Sequence, residues 1–369
     1  MPLDPAGLGR VAVVGQLAAV RNLGDGGSSD VWAPGAVTPL EGLRAALPDV
    51  EVVHGEDAAV AAGADVAVVV VGYTKLDEGE FIGGSGTRHL TELMPAADEP
   101  EVVEAFRASL AELDLPRFEP PEDPFRSGRG FSKGGDRTSL RLRPEDEVLI
   151  AAVVAACPRT IVAIVAGSAV VVDGWDGTVP ALVQSWYAGM EGGHALADVL
   201  LGRAEPSGRL PFTVPRDPAD LPPFDPAATA VTYDGWHGYW RLARDGHEAA
   251  YPFGFGLAYT ELALAGASAR LVDGAVLVSA VATNRGDRPG VEVVQVYGRA
   301  GDGPRRLVGF ARVELAAGEA RTCEIEVPLE RLARRGPGTW LPVEGPVELR
   351  VARWAGDPDA IEVEVATSC

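Results

Sequence analysis

The sequence predicts two folds in succession, an α/β domain with a mostly parallel sheet and then an antiparallel β-sandwich. Val66–Val71 is a continuous apolar run, which is typical of a strand buried on both faces of a parallel sheet. Strand-like and helix-like segments alternate as far as Pro215, and this alternation favours right-handed βαβ units. From Glu261 onward the chain shows period-2 segments separated by turns, which predict a sandwich of immunoglobulin-like size.

Local signals define the first elements of the α/β domain. Val11–Gly15 is a short apolar strand, and the loop at residues 22–29 is rich in glycine and small hydroxyl side chains. This loop has neither the helix start of a dinucleotide fingerprint nor the lysine of a P-loop, so it indicates a nucleotide site only weakly. Thr38–Glu41 combines a capping box with proline at the first helical position, which predicts a helix start. The elements that follow before the long apolar run are a strand at Val50–Val53 and a short helix at Asp57–Ala62.

Residues 83–132 interrupt the alternation, because a helical piece is followed there by a segment rich in proline and arginine. We interpret them as an insertion folded over the carboxyl edge of the sheet, in the position of a lid. Pro144–Glu147 then begins a helix with proline and three acids, in accord with the helix dipole. The remaining predicted elements are a strand at Thr160–Ala166, a strand at Val179–Tyr187, a helix at Gly192–Leu201 and an edge strand at Gly208–Pro215.

These signals divide the chain into three parts. Residues 1–225 form the α/β domain, with the insertion at 83–132 inside it. Residues 226–260 are aromatic and glycine-rich without a clear period, which indicates a long connecting segment lying on the first domain. Residues 261–369 form the β-sandwich, whose predicted strands include Ala275–Ala282, Glu292–Tyr297, Cys323–Val327 and Val347–Val351.

Composition argues against several classes of partner and site. The net charge of −21 disfavours nucleic acid and anionic membranes, since both need a basic surface. The three cysteines and five histidines show neither metal-ligand spacing nor a disulfide framework, so we expect no metal and no cofactor. No apolar run reaches the length of a membrane span, and the first ten residues lack the apolar core of a signal peptide. The expected location is therefore cytoplasmic.

The candidate site is the acidic loop Asp77–Ile82, which follows the long apolar strand. Ligands of open α/β sheets bind outside the carboxyl ends of the strands, so a carboxylate in this loop could serve as a general acid. A solvated acidic loop without any chemistry is the alternative. Four tryptophans could stack on sugar rings or pack in the core: Trp175, Trp186, Trp236 and Trp240.

Six segments carry a resemblance that runs over most of the chain. They are GDGGSS at Gly24–Ser29, DEGEFI at Asp77–Ile82, GGDRTSLRL at Gly134–Leu142, GMEGGHALADVLLG at Gly189–Gly202, PSGRLPFTVP at Pro206–Pro215 and PFGFGLAYT at Pro252–Thr260. In their order and spacing they resemble glycoside hydrolase family 3, the family of many β-glucosidases. Members of that family have a (β/α)8 barrel, then an α/β sandwich and a fibronectin type III-like domain. This chain resembles the last two of these domains.

The resemblance implies retaining hydrolysis of a β-linked glycoside or oligosaccharide, with an aspartate nucleophile on the barrel and a glutamate acid/base on the α/β sandwich. The acid/base glutamate maps onto Glu80, with Glu78 as the alternative. An apolar flank such as Phe81–Ile82 could raise the pKa of a general acid. Six residues would shape the sugar site or its loop at the same edge: Gly26, Gly27, Ser28, Ser29, Asp136 and Arg137. For the last two, a loop-fixing ion pair is the alternative.

The sequence contains no recognisable barrel and therefore no nucleophile, and three interpretations stay open. In the first, the chain is a fragment or split subunit of a β-glucosidase-like enzyme and is inactive alone. The surface left by the barrel should be apolar in places, so it would bind a barrel domain or a second copy of the chain. In the second, the chain is a non-catalytic module that binds carbohydrate or a partner. In the third, it is a nucleotide-binding α/β domain.

Overall fold

The computed structural model describes residues 1–24, 33, 35–79, 137, 139–223, 228–301, 303–336, 339–341, 343 and 345–366, which belong to two compact units. The α/β unit comprises Pro5–Ser168 and Trp175–Ala197, and the β unit comprises Met1–Asp4, Ala169–Gly174 and Asp198–Cys369. The predicted insertion at 83–132 lies outside the described residues. The domain boundaries at residues 225 and 260 stay predictions.

A five-stranded parallel sheet forms the centre of the α/β unit, which confirms the predicted fold class. Its strands are β1 (Arg10–Val14), β2 (Glu51–Gly55), β3 (Val66–Gly72), β4 (Thr160–Val165) and β5 (Ala181–Gln184). Their order is β2-β1-β3-β4-β5, and every neighbouring pair runs parallel. β3 is the central strand and all seven of its residues are buried, which explains why its sequence has no polar positions.

The helices described in this part of the chain are α1 (Pro39–Ala46), α2 (Lys75–Glu78), α3 (Pro144–Ala156) and α4 (Gly192–Leu200). The capping box predicted for α1 is present: Thr38 Oγ1 accepts a hydrogen bond from the Glu41 N–H at 3.2 Å. The Glu41 carboxylate in turn accepts one from the Thr38 N–H at 2.8 Å, so two N–H groups of the helix start have partners. Where a short helix is predicted after β2, a 3-10 turn forms at Ala58–Ala61.

Two predicted strands are shorter than the sequence suggests. β5 ends at Gln184, because Trp186 adopts φ +58°, a left-handed conformation that cannot continue a strand. Of the edge strand predicted at Gly208–Pro215, only β6 (Val214–Pro215) forms. It pairs antiparallel with β7 (Ala249–Tyr251) and does not join the parallel sheet. Proline has no N–H for a strand ladder, which accounts for the short pairing.

Two antiparallel sheets with seven strands in all make the sandwich of the β unit, as predicted. The strands are β8 (Leu262–Val272), β9 (Ala275–Asn284), β10 (Gly290–Ala300), β11 (Arg306–Leu315), β12 (Ala320–Pro328), β15 (Val347–Ala352) and β16 (Ile361–Val365), with a separate hairpin of β13 (Arg334–Gly336) and β14 (Thr339–Leu341). One sheet has the order β11-β10-β15-β16 and the other the order β12-β9-β8. Apolar side chains from both sheets form one core, which explains the period-2 sequence.

The stretch at residues 226–260 has more regular structure than predicted, because it contains β7 and the helix α5 (Gly238–Asp245). Tyr239 of α5 stacks on Phe253 with ring centroids 5.0 Å apart and meets Tyr297 of β10 edge-on at 5.9 Å. Its hydroxyl also accepts a hydrogen bond from the Leu307 N–H at 3.0 Å. The side chain of His237, which precedes α5, makes no capping hydrogen bond, so the sequence lacks the start signal that predicts α1.

Two further findings concern cysteines and membranes. Cys157 and Cys323, the cysteines within the described ranges, are free thiols. In the part of the chain that the structure describes, no helix combines the length and the apolar character needed to span a bilayer.

We expect Gly72→Ala to destabilise the α/β unit by about 2 kcal/mol or more. Gly72 has φ +135°, and a Cβ there would overlap the carbonyl oxygen of Val165 in the neighbouring strand. Gly177→Ala is the matched control, because a Cβ at Gly177 meets no atom within 4 Å. Urea unfolding followed by circular dichroism gives the midpoint for each variant. Equal midpoints would contradict this account of Gly72.

Candidate functional site

The candidate site lies where β3, β4 and β5 end at the carboxyl edge of the parallel sheet. After β3, Thr74 begins the short helix α2 with a second capping box. The Thr74 N–H and hydroxyl both donate to the Asp77 carboxylate, at 2.8 and 3.0 Å. Asp77 is therefore occupied as a capping residue. Glu78 is the last residue of α2, and its carboxylate reaches the ends of the neighbouring strands.

Glu78 accepts hydrogen bonds from residues that lie far away in the sequence. Its Oε1 atom accepts from the Gly167 N–H, just after β4, and from the Tyr187 hydroxyl, just after β5, both at 2.6 Å. Its Oε2 atom lies 2.9 Å from Nε of Arg137. The side chains are nearly buried, with 10% of Glu78 and 7% of Arg137 exposed. One carboxylate therefore joins three segments of the chain.

Arg137 adds two further contacts to this group. Its guanidinium donates to the Ser168 hydroxyl and lies 4.3 Å from the ring centroid of Tyr73, a cation–π distance. Tyr73 follows β3 directly and is buried, and its hydroxyl donates to the Arg141 carbonyl. Burial raises the pKa of the Tyr73 hydroxyl, although the nearby guanidinium of Arg137 opposes that shift. The Tyr73 ring thus contacts the Arg137 cation, whose charge balances that of the Glu78 carboxylate.

The electrostatics of the site keep Tyr187 protonated. Burial is the largest cause that raises the pKa of the Tyr187 hydroxyl well above 10, and its hydrogen bond to Glu78 is the next. A phenolate beside the Glu78 carboxylate would place two negative charges side by side. Tyr187 therefore remains a hydrogen-bond donor throughout the neutral and mildly alkaline range.

This arrangement suits a carboxylate that holds structure together. The Gly167 N–H, the Tyr187 hydroxyl and Arg137 are all donors, so both oxygens of Glu78 act as acceptors. A general acid needs a proton directed at the leaving group of the substrate. Glu78 could take that role only if these hydrogen bonds rearrange when substrate binds.

The structure brings together two of the site residues predicted from the sequence, Glu78 and Arg137. The other predicted site residues lie outside the described residues: Glu80, Gly26, Gly27, Ser28, Ser29 and Asp136. Sequence reasoning missed Tyr187, Tyr73 and Gly167 as members of the site. Their signal was position, because each lies at or just after the carboxyl end of a predicted strand of the same parallel sheet. Among the described residues, no group of three or more His, Cys, Asp or Glu side chains could hold a metal ion.

The fold and the site define a protein with an α/β domain followed by a fibronectin type III-like sandwich. The model of the glycosyl hydrolase family 3 C-terminal domain matches residues 1–259, and that of the fibronectin type III-like domain matches residues 292–355. The chain belongs to glycoside hydrolase family 3, which confirms the resemblance noted in its motifs.

Curated relatives carry the names of glycosidases. The chain is 33% identical over 223 residues to "Probable beta-glucosidase J" of Aspergillus fumigatus, a match that covers 55% of this chain and 26% of the relative. It is 34% identical over 253 residues to "Beta-glucosidase B" of Emericella nidulans, covering 61% and 30%. It is also 35% identical over 209 residues to "Xylan 1,4-beta-xylosidase" of Xylanibacter ruminicola, covering 55% and 23%. The chain thus spans about a quarter of the length of these relatives.

Solved structures show the same fold. The chain superposes on the beta-D-glucoside glucohydrolase of Trichoderma reesei with a TM-score of 0.78 at 20% identity, covering 99% of this chain and 52% of the other. It superposes on beta-glucosidase 3B of Thermotoga neapolitana, a structure in complex with glucose, with a TM-score of 0.74 at 24% identity, covering 100% and 51%. The chain therefore spans about half the length of these proteins.

We predict that, in alkaline solution, the free energy of unfolding falls less steeply with rising pH in Tyr187→Phe than in the parent chain. Above pH 10 the unfolded chain releases the Tyr187 proton while the folded chain keeps it, so the free energy of unfolding falls as pH rises. Removing this hydroxyl removes up to about 1.4 kcal/mol per pH unit from that slope. At neutral pH the same change costs about 1–2 kcal/mol, because Glu78 loses a donor.

Urea unfolding of the variant and the parent chain, at several pH values on both sides of pH 10, measures the slope. Tyr233→Phe is the control, because Tyr233 is 65% exposed. An unchanged slope for Tyr187→Phe would contradict the assignment.

Proposed function

We propose that this chain takes part in the hydrolysis of O-glycosidic bonds in β-linked glycosides, and that it supplies the general acid/base. Family membership and the names of the relatives support glycosidic bond hydrolysis. One structural observation supports the acid/base role. Glu78 joins the acidic segment after β3 to the ends of β4 and β5. That edge of a parallel sheet is where ligands bind.

In this proposal Glu80 gives a proton to the leaving oxygen and then takes one from water, while Glu78 holds the segment in place. Glu80 follows Glu78 by two residues and belongs to the same acidic stretch. The three donors around Glu78 give it an anchoring role, and they leave Glu80 as the first candidate for proton transfer. Glu78 is the alternative acid/base, with its contacts rearranging when substrate binds.

Retaining hydrolysis also requires a nucleophilic carboxylate about 5–5.5 Å from the acid/base, on the other side of the scissile bond. We assign no nucleophile to this chain and infer that a (β/α)8 barrel, on the same polypeptide or on another, supplies it. The chain alone would then be inactive, because it lacks the groups that hold and attack the first sugar.

The substrate class in this proposal is a β-linked pyranoside. The names of the relatives include beta-glucosidases and a xylan 1,4-beta-xylosidase, so the relatives differ in the sugar that they accept. The sugar unit and its linkage would then be selected by residues around the proposed barrel site.

The experiment compares the purified chain alone with the chain co-expressed with a family 3 barrel domain, using an activated aryl β-glucoside. We expect turnover only with the barrel. Glu80→Gln should lower kcat/KM by about 10²–10⁴-fold for a β-glucoside with a poor leaving group, and azide should restore turnover of the activated substrate by Glu80→Ala. Substrates with poor leaving groups should lose the most, because they depend most on protonation.

Glu56→Gln is the matched control, since Glu56 is an exposed acid of the same unit. Full activity of Glu80→Ala together with loss of activity in Glu78→Ala would move the acid/base role to Glu78. Turnover by the chain alone, abolished by Glu80→Gln, would contradict the need for an outside nucleophile.

A further inference from the structure

The β unit contains a cavity of about 320 Å³ that none of the residues considered above for hydrolysis lines. Trp236, which precedes α5, and Trp240, which lies within α5, contribute to one part of the lining. Arg299 of β10 and Arg306 of β11 contribute to another part. The cavity is near the lower end of the range for small-molecule sites, which run from about 300 to 1,000 Å³. Its size suits one ring-sized ligand.

The two tryptophans are held by neighbouring side chains. The Arg244 guanidinium lies 5.2 Å from the ring centroid of Trp236, which is half-buried. Trp240 meets Tyr239 edge-on with centroids 5.8 Å apart and contacts the His237 ring at 4.9 Å. Neither indole belongs to the sandwich core, and both line the open space. A fixed aromatic surface loses little conformational freedom when a ligand binds.

Polar groups in the same lining can bond to hydroxyl groups. Arg299 pairs with Glu348 at 2.6 Å, and Arg306 donates to the Ala333 carbonyl at 2.9 Å. The Nε atom of Arg299 is buried and has no hydrogen-bond partner among the residues that the structure describes. Asp234, which also lines the cavity, accepts a hydrogen bond from the backbone N–H of Trp236 at 2.8 Å.

The lining carries charged groups of both signs. Glu348 pairs with both Arg299 and Arg305, and the Asp234 carboxylate lies in the lining itself. Arg244 pairs with Asp234 at 3.0 Å, so neither of those charges stands alone. A neutral ligand with one apolar face and several hydroxyl groups matches both the indoles and the polar atoms.

We propose that this cavity binds one pyranose unit of a neutral β-linked saccharide. The C–H face of the sugar would pack on the indole rings, and its hydroxyls would bond to Arg299, Arg306 and Asp234. The choice of a β-linked sugar rests on the proposed function, but the site itself does not depend on the acid/base assignment. A chain with this site would hold saccharide through the β unit, whether or not the carboxylates of the α/β unit catalyse hydrolysis.

The test is a titration of the full chain with cellobiose, followed through the indole N–H signals of its seven tryptophans in nitrogen-15 NMR spectra. We expect saturable shifts of the Trp236 and Trp240 signals with a Kd of about 1–10 mM, which is typical for a contact of one sugar ring. Trp236→Ala should weaken binding by about tenfold. Trp240→Phe keeps an aromatic ring in its packing site and should weaken binding less.

Trp340→Ala is the matched control, because Trp340 is a 60% exposed tryptophan of the same unit that does not line the cavity. Its signal should stay still during the titration, and its loss should leave Kd unchanged. Absence of saturable shifts, or equal Kd values for Trp236→Ala and the parent chain, would overturn the proposal. Inorganic phosphate that shifts the Trp236 signal while cellobiose does not would also overturn it, because the site would then select anions.

Discussion

The candidate site depends on the buried contact between Glu78 and Arg137. It joins the segment after β3 to Arg137, and the other bonds of Glu78 reach Gly167 and Tyr187 at the ends of β4 and β5. Removing one partner of a buried ion pair costs about 3–5 kcal/mol, because the remaining charge has no counterpart. The pair therefore holds strand ends together, and those strands come from sequence positions nearly 110 residues apart.

The β unit also contains a buried ion pair, which joins other segments of the chain. Arg209 and Glu292 form a buried pair at 2.9 Å, with 9% and 2% of their side chains exposed. This pair attaches the segment before β6 to β10, whose far end contributes Arg299 to the cavity. The two proposed activities, proton transfer and sugar binding, thus depend on different interactions. Proton transfer needs a charge environment that is set by buried partners, while sugar binding needs an aromatic surface and hydrogen-bonding groups.

Much of the fold was predictable because its signals are local. The apolar run of β3, the capping box at Thr38 and the period-2 strands after Glu261 all follow from residues close together in the sequence. The misses have local causes as well. The left-handed backbone at Trp186 ended a strand early, and α5 begins without the capping hydrogen bond that marks the start of α1. The motifs pointed to the acidic stretch and placed Glu80 first with Glu78 as the alternative, but they did not reveal that Glu78 forms a buried ion pair with Arg137.

The sequence by itself determined the parallel and antiparallel sheets and their order, because hydrophobic periods and turn signals are local. The resemblance of its motifs indicated the family. Only the tertiary structure decided which side chains meet. It made Asp77 a helix cap and Glu78 an ion-pair partner, two roles that adjacent acids in one segment do not reveal. It also placed Trp236 beside a cavity that β10 and β11 help to line. The physical reason is that such contacts depend on the distances between strand ends in the folded chain. The spacing of residues along the sequence does not give those distances.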